Sequence, residues 1–268
     1  MGKFLDLRRN LKDAVLSIHT DGDKSVAADL VDAFGPYGVP LTMLTREEAA
    51  TIADEFLLVR DWEFDQGAIP RFLGRFVGLF PDETYDLLLR RIELNADARK
   101  NNQPSIQTFN LVQGHISFGS VPAEKRLQLA QDCIARLLQA DSGEDLATLF
   151  WDLAGYDEAS LHLIVNSAPG ANDLGVQNIA TLIDKAIPRL AFTHTGFVRN
   201  LLQHFTGADR GQLVEAFAHQ ARHFGGGVFA GSVETHMAQR GKQFADQTAA
   251  FPDEPGLDDL ARALRKFT

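Results

Sequence analysis

Glu215, His219 and His223 stand four residues apart in turn within a stretch of helical periodicity, so all three side chains can face one way, as metal ligands do. A zinc-protease helix would also place a glutamate directly after its first histidine, and this chain has Gln220 there. Histidines near a helix end more often serve the negative end of the helix dipole. Gly114-His115-Ile116-Ser117-Phe118-Gly119 superficially matches a hydrolase nucleophile elbow, but that elbow has one residue between glycine and serine and needs a strand before it. Asp21-Gly22-Asp23-Lys24-Ser25 offers Lys-Ser without the upstream glycine of a phosphate-cradling loop, and reads as a turn with a helix cap. Asp61, Glu63 and Asp65 could form an acid–base pair, although a surface loop between helices is the commoner setting for such a run.

None of these groups does chemistry unless a scaffold holds it. With 268 residues and a hydrophobic fraction of 45%, the chain is long enough to bury a large core. Its formal net charge of -10 opposes a polyanion, whose binding draws on Lys and Arg neutralising phosphates, so the composition argues against nucleic acid as partner. A single cysteine, Cys133, excludes an internal disulfide and points to a reducing compartment. The amino-terminal stretch MGKFLDLRR gains charge before a signal-peptide core can build up, and no run of about eighteen apolar residues occurs. A cytoplasmic protein outside the membrane is expected, with no cofactor called for by any motif.

Helical periodicity dominates. Thr45-Arg46-Glu47-Glu48 is a capping box, with Ile52, Phe56 and Val59 following at helical spacing, which predicts a helix over 45–60. Pro81 with Asp82 and Glu83 opens a second, reaching about residue 99, and Pro122-Ala123-Glu124 opens a third with Leu127, Ala130, Ile134 and Leu137 on one side. Similar patterns predict helices over 5–19, 24–34, 66–79, 144–153, 157–167, 173–187, 195–205, 208–223, 232–250 and 256–267. Alternation that would suggest a strand is confined to 61–65 and parts of 105–121.

Five turns share a pattern: two apolar residues eight apart flank HTDGDKS, FPDETYD, QADSGED, AGYDEAS and TGADRGQ. Each reads as a helix that ends, turns on Gly or Asp, and restarts on an acidic or hydroxyl-bearing first turn. A pair of helices joined so tightly cannot hide both apolar stripes, so pairs stack on pairs. The expected fold is all-α: one α-solenoid domain, 1–268, of stacked antiparallel helix pairs of HEAT or armadillo type, with a compact helical bundle as the alternative.

Two segments break the rhythm. The insertion 101–121 is too long for an ordinary helix connection and carries enough apolar residues to be an ordered loop. The glycine-rich loop 224–231 forbids helix while presenting two aromatics. Trp62, Phe64, Trp151 and Tyr156 also lie near irregular segments, where most aromatics cover helix ends. Since contacts gather on loops held by rigid scaffolds, Phe109, Gln113, His115 and Phe118 of the insertion and Phe224 and Phe229 of the glycine-rich loop are the candidate binding residues.

From Phe76 onward, FPDETYDLLLRRIEL, the insertion after it, and HFGGGVFAGSVETHMAQRGKQFADQTAAFPDEPGLDDLARALRKF resemble the HEAT-like helical arms at the carboxy-terminal end of large bacterial multidomain proteins. Those include nucleotide-binding signalling proteins associated with phage defence. The amino-terminal effector or nucleotide-binding domain of such proteins has no counterpart here, and the resemblance transmits no catalytic residue. It implies binding of a partner or trigger. The expectation is a non-catalytic protein–protein interaction scaffold or sensor arm that holds a protein or peptide. The alternatives are an enzyme with a dispersed, hydrolase-like site around His115, and a solenoid that gathers Lys and Arg on one face for nucleic acid.

Overall fold

The computed structural model describes residues 2–35, 37–62, 64–108, 116–186, 189–222 and 233–267, with side chains omitted at 2–6, 64–66 and 233–236. Among the described residues the chain is all-α, with no strand, and its helices pack pairwise against one another as a solenoid-like fold requires. Two compact units divide it, Met1–Leu129 and Ala130–Thr268.

The first unit holds α1 (Gly2–Leu16), α2 (Lys24–Ala33), α3 (Arg46–Glu55), α4 (Phe64–Phe76), α5 (Pro81–Lys100) and the start of α6 (Ala123–Leu137). Each helix leans on the next but one: α1 on α3, α3 on α5, and α2 on α4. That alternation makes two layers, because a helix in a tight hairpin can cover only part of its partner's apolar stripe. Aromatic side chains fill the space between them. Phe72 meets Phe34 at 5.5 Å, Phe56 at 5.4 Å and Phe76 at 5.4 Å between ring centroids, and Phe76 meets Phe80 at 4.9 Å.

The predicted starts are where the cap chemistry puts them. Thr45 accepts from the Glu48 amide while the Glu48 carboxylate accepts from the Thr45 amide, closing the capping box of α3. A hydrogen bond from Lys12 (2.6 Å), reinforced by that amide, holds the Glu48 carboxyl below its ordinary value. Asp23 and Asp157 cap α2 and α8 (Glu158–Ser167) by accepting amides of the first turn. Gly22, Gly155 and Gly207, in three of the five related turns, take φ of 82°, 70° and 57°, a left-handed conformation that a side chain would strain.

One expected helix stops early. The pattern predicts 45–60, yet α3 ends at Glu55, and carbonyls of the irregular stretch after it bond to Arg91. Fully buried on α5, Arg91 Nη1 donates to Phe56 O (3.1 Å), Leu57 O (2.9 Å) and Val59 O (2.8 Å), and Nε donates to Gln107 O (3.1 Å). Its guanidinium lies 3.8 Å from the ring centroid of buried Trp62, whose indole N–H also donates to Phe56 O. Gln107 Oε1 accepts from the Trp62 amide, and Asn95 Oδ1 accepts from the Ile106 amide. Thus the first part of the 101–121 insertion is an ordered segment fastened to α5, and its last part closes with a short 3₁₀ turn at Phe118–Ser120.

The second unit continues with α7 (Glu144–Ala154), α8, α9 (Asp173–Asp184), α10 (Leu190–Thr193), α11 (Thr195–Leu202), α12 (Gly207–Arg222), α13 (Val233–Ala249) and α14 (Asp258–Arg265). One layer runs α7, α9, α12, α14, each against the next, and α8 packs on α11. Short α10, which the periodicity does not predict, wedges against α11 and α12. Buried amides tie turns to helices: Asn178 Nδ2 donates to Leu137 O (2.8 Å) and Ala140 O (2.7 Å), and Gln220 Nε2 donates to Ala186 O (3.2 Å). The Trp151 indole donates to Leu182 O at 2.7 Å.

Burial draws the Arg91 guanidinium down to about 9, so at neutral pH it stays a cation and its carbonyl partners are charge-assisted acceptors. Replacing it removes the donor from Leu57 O and Val59 O, while Phe56 O keeps only the Trp62 indole. Arg91→Ala should therefore cost about 3 kcal/mol of stability, read as an earlier urea transition of Trp62 fluorescence in a Trp151→Phe background. Arg91→Lys should recover little of it, since an ammonium cannot span both segments. An unchanged midpoint in both variants would contradict this role.

Candidate binding groove

The described residues leave most of the sequence-derived candidates aside. Phe109, Gln113, His115, Phe224, Phe229 and His223 lie outside them. Phe118 is fully buried at the 3₁₀ turn, so it packs the core of the first unit instead of offering an exposed anchor. Trp62 and Trp151 are buried too, with Tyr156 stacked on Trp151 at 4.5 Å. Asp23 in the Asp21–Ser25 stretch spends its carboxylate on the Ser25 and Val26 amides, which is helix-cap geometry. Asp61 stands 4.0 Å from Lys24 Nζ.

Glu215 and His219 are described, and both line a groove of about 540 Å³ in the second unit. The helices that build it do so by periodicity. On α9, Gln177, Ala180, Thr181 and Asp184 follow the i, i+3, i+4, i+7 rule, and on α12 Gln212, Glu215, Ala216 and His219 repeat the same spacing. Each stripe covers two turns, roughly 10 Å of helix. Ala263, Lys266 and Phe267, in and just after α14, complete the wall. The floor is made of small side chains, Ala180 and Ala216, while charged and amide groups stand along the rim.

His219 Nδ1 lies 3.3 Å from Asp184 Oδ1, bridging the two main walls. A carboxylate on Nδ1 favours the tautomer with Nε2 as acceptor, the arrangement a proton-transfer pair uses. Both side chains face solvent, at 60% and 44% exposed. As for metal, among the described residues no group of three His, Cys, Asp or Glu side chains is placed to hold an ion.

The third wall is pinned at both ends. Arg210 on α12 forms a two-pronged bond with Asp259 on α14 (Nε–Oδ2 2.6 Å, Nη2–Oδ1 3.0 Å) and donates as well to Leu202 O and Gly256 O. At the other end, the Arg222 guanidinium sits 4.0 Å from the centroid of the Phe267 ring, which remains 44% exposed. Burial raises the Asp259 carboxyl, but Arg210 and the Leu260 amide outweigh it, and the net value lies below the ordinary 3.8.

Sequence reading named Glu215 and His219 for metal and missed the rest of this groove. The available signal was the paired stripe of alanine between polar residues at helical spacing on two helices. That signal needs the register between α9 and α12, which a sequence does not carry.

Because the folded carboxyl is the stronger acid, the Asp259 contribution is fully present above pH 3.8 and is lost as pH falls through the lower folded value. Asp259→Asn should therefore lower stability by about 1 kcal/mol at pH 7, with the difference from wild type closing as the pH is taken below 3.8 in urea titrations. A pH-independent difference would sink this assignment. No family model matches this chain, and no curated protein or solved structure matches it significantly.

Proposed function

We propose that this chain is a non-catalytic protein-binding scaffold or sensor arm of the helical-repeat kind, working in the cytoplasm as part of a bacterial defence or signalling system. The observation that carries the reading is the open groove on α9, α12 and α14, a surface left unfilled where two helices present small side chains in matched register. Grooves between repeats are where helical arrays hold other chains, since the repeat interfaces fix the walls and the partner supplies the missing stripe. The placement in defence or signalling rests on the resemblance of the stretches quoted from Phe76 onward. No helix among the described residues is long and apolar enough to cross a membrane.

Nucleic acid fits the groove poorly. Its rim carries Asp184 and Glu215 against Lys266, on a chain of net charge -10. A hydrolase built around His115 finds no support in the groove, which belongs to the other unit.

The test uses the full chain, tagged and cross-linked in its own cells. A protein partner should be recovered in near-equal amount with wild type and be reduced about tenfold by Thr181→Arg, which sets a bulky charge on the half-exposed groove wall, while the melting temperature of the variant stays within the range of wild type. Recovery of the chain alone under every growth and infection condition would remove the proposal. Equal recovery by the variant would move the binding surface elsewhere.

A further inference from the structure

We infer that the α9–α12–α14 groove takes an amphipathic helix carrying a lysine or arginine beside its apolar stripe, an inference that rests on the protein-binding reading above. Both main walls repeat at i, i+3, i+4 and i+7, and an occupant that repeats at the same spacing can keep contact over both turns. An extended segment advances about twice as far per residue and alternates its side chains, so only one or two would meet the walls. Ala180, Ala216 and Ala263 let a helix backbone come close, toward the lower end of the usual interaxial range. Half-exposed Phe267, its ring held by Arg222, gives an apolar lip for a side chain of the occupant.

Charge selects the helix. Glu215 is exposed, and among the described residues no hydrogen bond or ion pair engages it. Asp184 stands on the facing wall, bonded through one oxygen to His219. A cationic side chain entering between the walls meets both carboxylates, whereas an acidic one is repelled twice. Lys266, on the third wall, suits the carbonyl end of the incoming helix, where the helix dipole is negative. The chain as a whole, at -10, attracts a basic segment from a distance and repels an acidic one.

The test is a selection with the full chain as bait and a displayed library of amphipathic helices, randomised at the i, i+3, i+4 and i+7 positions and at one flanking position. Lysine or arginine should be enriched at the flank. The winning peptide, made synthetically and read by fluorescence anisotropy, should bind Glu215→Lys at least about tenfold more weakly. Its Lys→Glu counterpart should regain affinity for that variant. Ala216→Phe, which fills the floor, should abolish binding. Glu124→Lys, the same charge change on the exposed face of α6, should leave it unaltered. Because Glu215 is exposed, its variant tests the site even if Ala216→Phe fails to fold. Winners with no basic preference, or winners that bind both groove variants as tightly as wild type, would overturn the groove assignment while leaving the protein-binding reading in place. A selection that enriches nothing would also overturn the groove assignment, and the cross-linking experiment above then decides the protein-binding reading by itself.

Discussion

A helix in a tight hairpin has one apolar stripe, and its hairpin partner covers only part of it. The remainder has to be buried by the helix after next. That constraint is visible in α1 on α3 on α5, α2 on α4, α7 on α9 and α12 on α14, while α9 reaches α12 past the short α10 and α11. It sets the two-layer arrangement within each unit, and it also produces a furrow between neighbouring helices of one layer, on the side away from the other. Between α9 and α12 the positions that would close it are Ala180 and Ala216, so it stays open. Arg210–Asp259 and Arg222–Phe267 then fix α14 as its third side.

Where a helix is missing, a cation substitutes for it. Between α3 and α4 the chain runs irregularly, and several of its carbonyls lie within reach of a side chain on α5. Arg91 answers several of them from α5 and reaches Gln107 in the insertion as well. Its charge is spread over carbonyl dipoles and the Trp62 face instead of meeting a carboxylate, which avoids burying a second ion. A planar guanidinium suits this because its donors point in several fixed directions at once.

Local chemistry was legible in the sequence. The capping box at Thr45–Glu48, the aspartate caps at Asp23 and Asp157, and the glycine turns at Gly22, Gly155 and Gly207 act within a few residues, so spacing alone identifies them. The helix-to-helix stacking followed from those turns. Arg91 was not legible. Its neighbour Arg90 pairs with Asp54 on the surface while Arg91 is fully buried, and nothing in the RR dipeptide separates them. The irregular stretch after Glu55 is equally hidden, since the carbonyls of Phe56, Leu57 and Val59 bond to a side chain more than thirty residues on. Phe118 is a binding candidate on its irregular segment, yet irregular backbone can also carry core side chains, and Phe118 is fully buried. The groove depends on which turn of α9 faces which turn of α12, and that register is set by packing.

The central claim is that a partner helix lies along α9 and α12. Selective labelling of alanine methyl groups in the full chain, followed by NMR during titration with a selected basic amphipathic peptide, tests it at the groove floor. The account predicts that the methyl signals of Ala180, Ala216 and Ala263 shift together and saturably while those of the first unit, such as Ala27, Ala49 and Ala53, stay in place. Shifts confined to the first unit, or spread evenly over the chain, would contradict it.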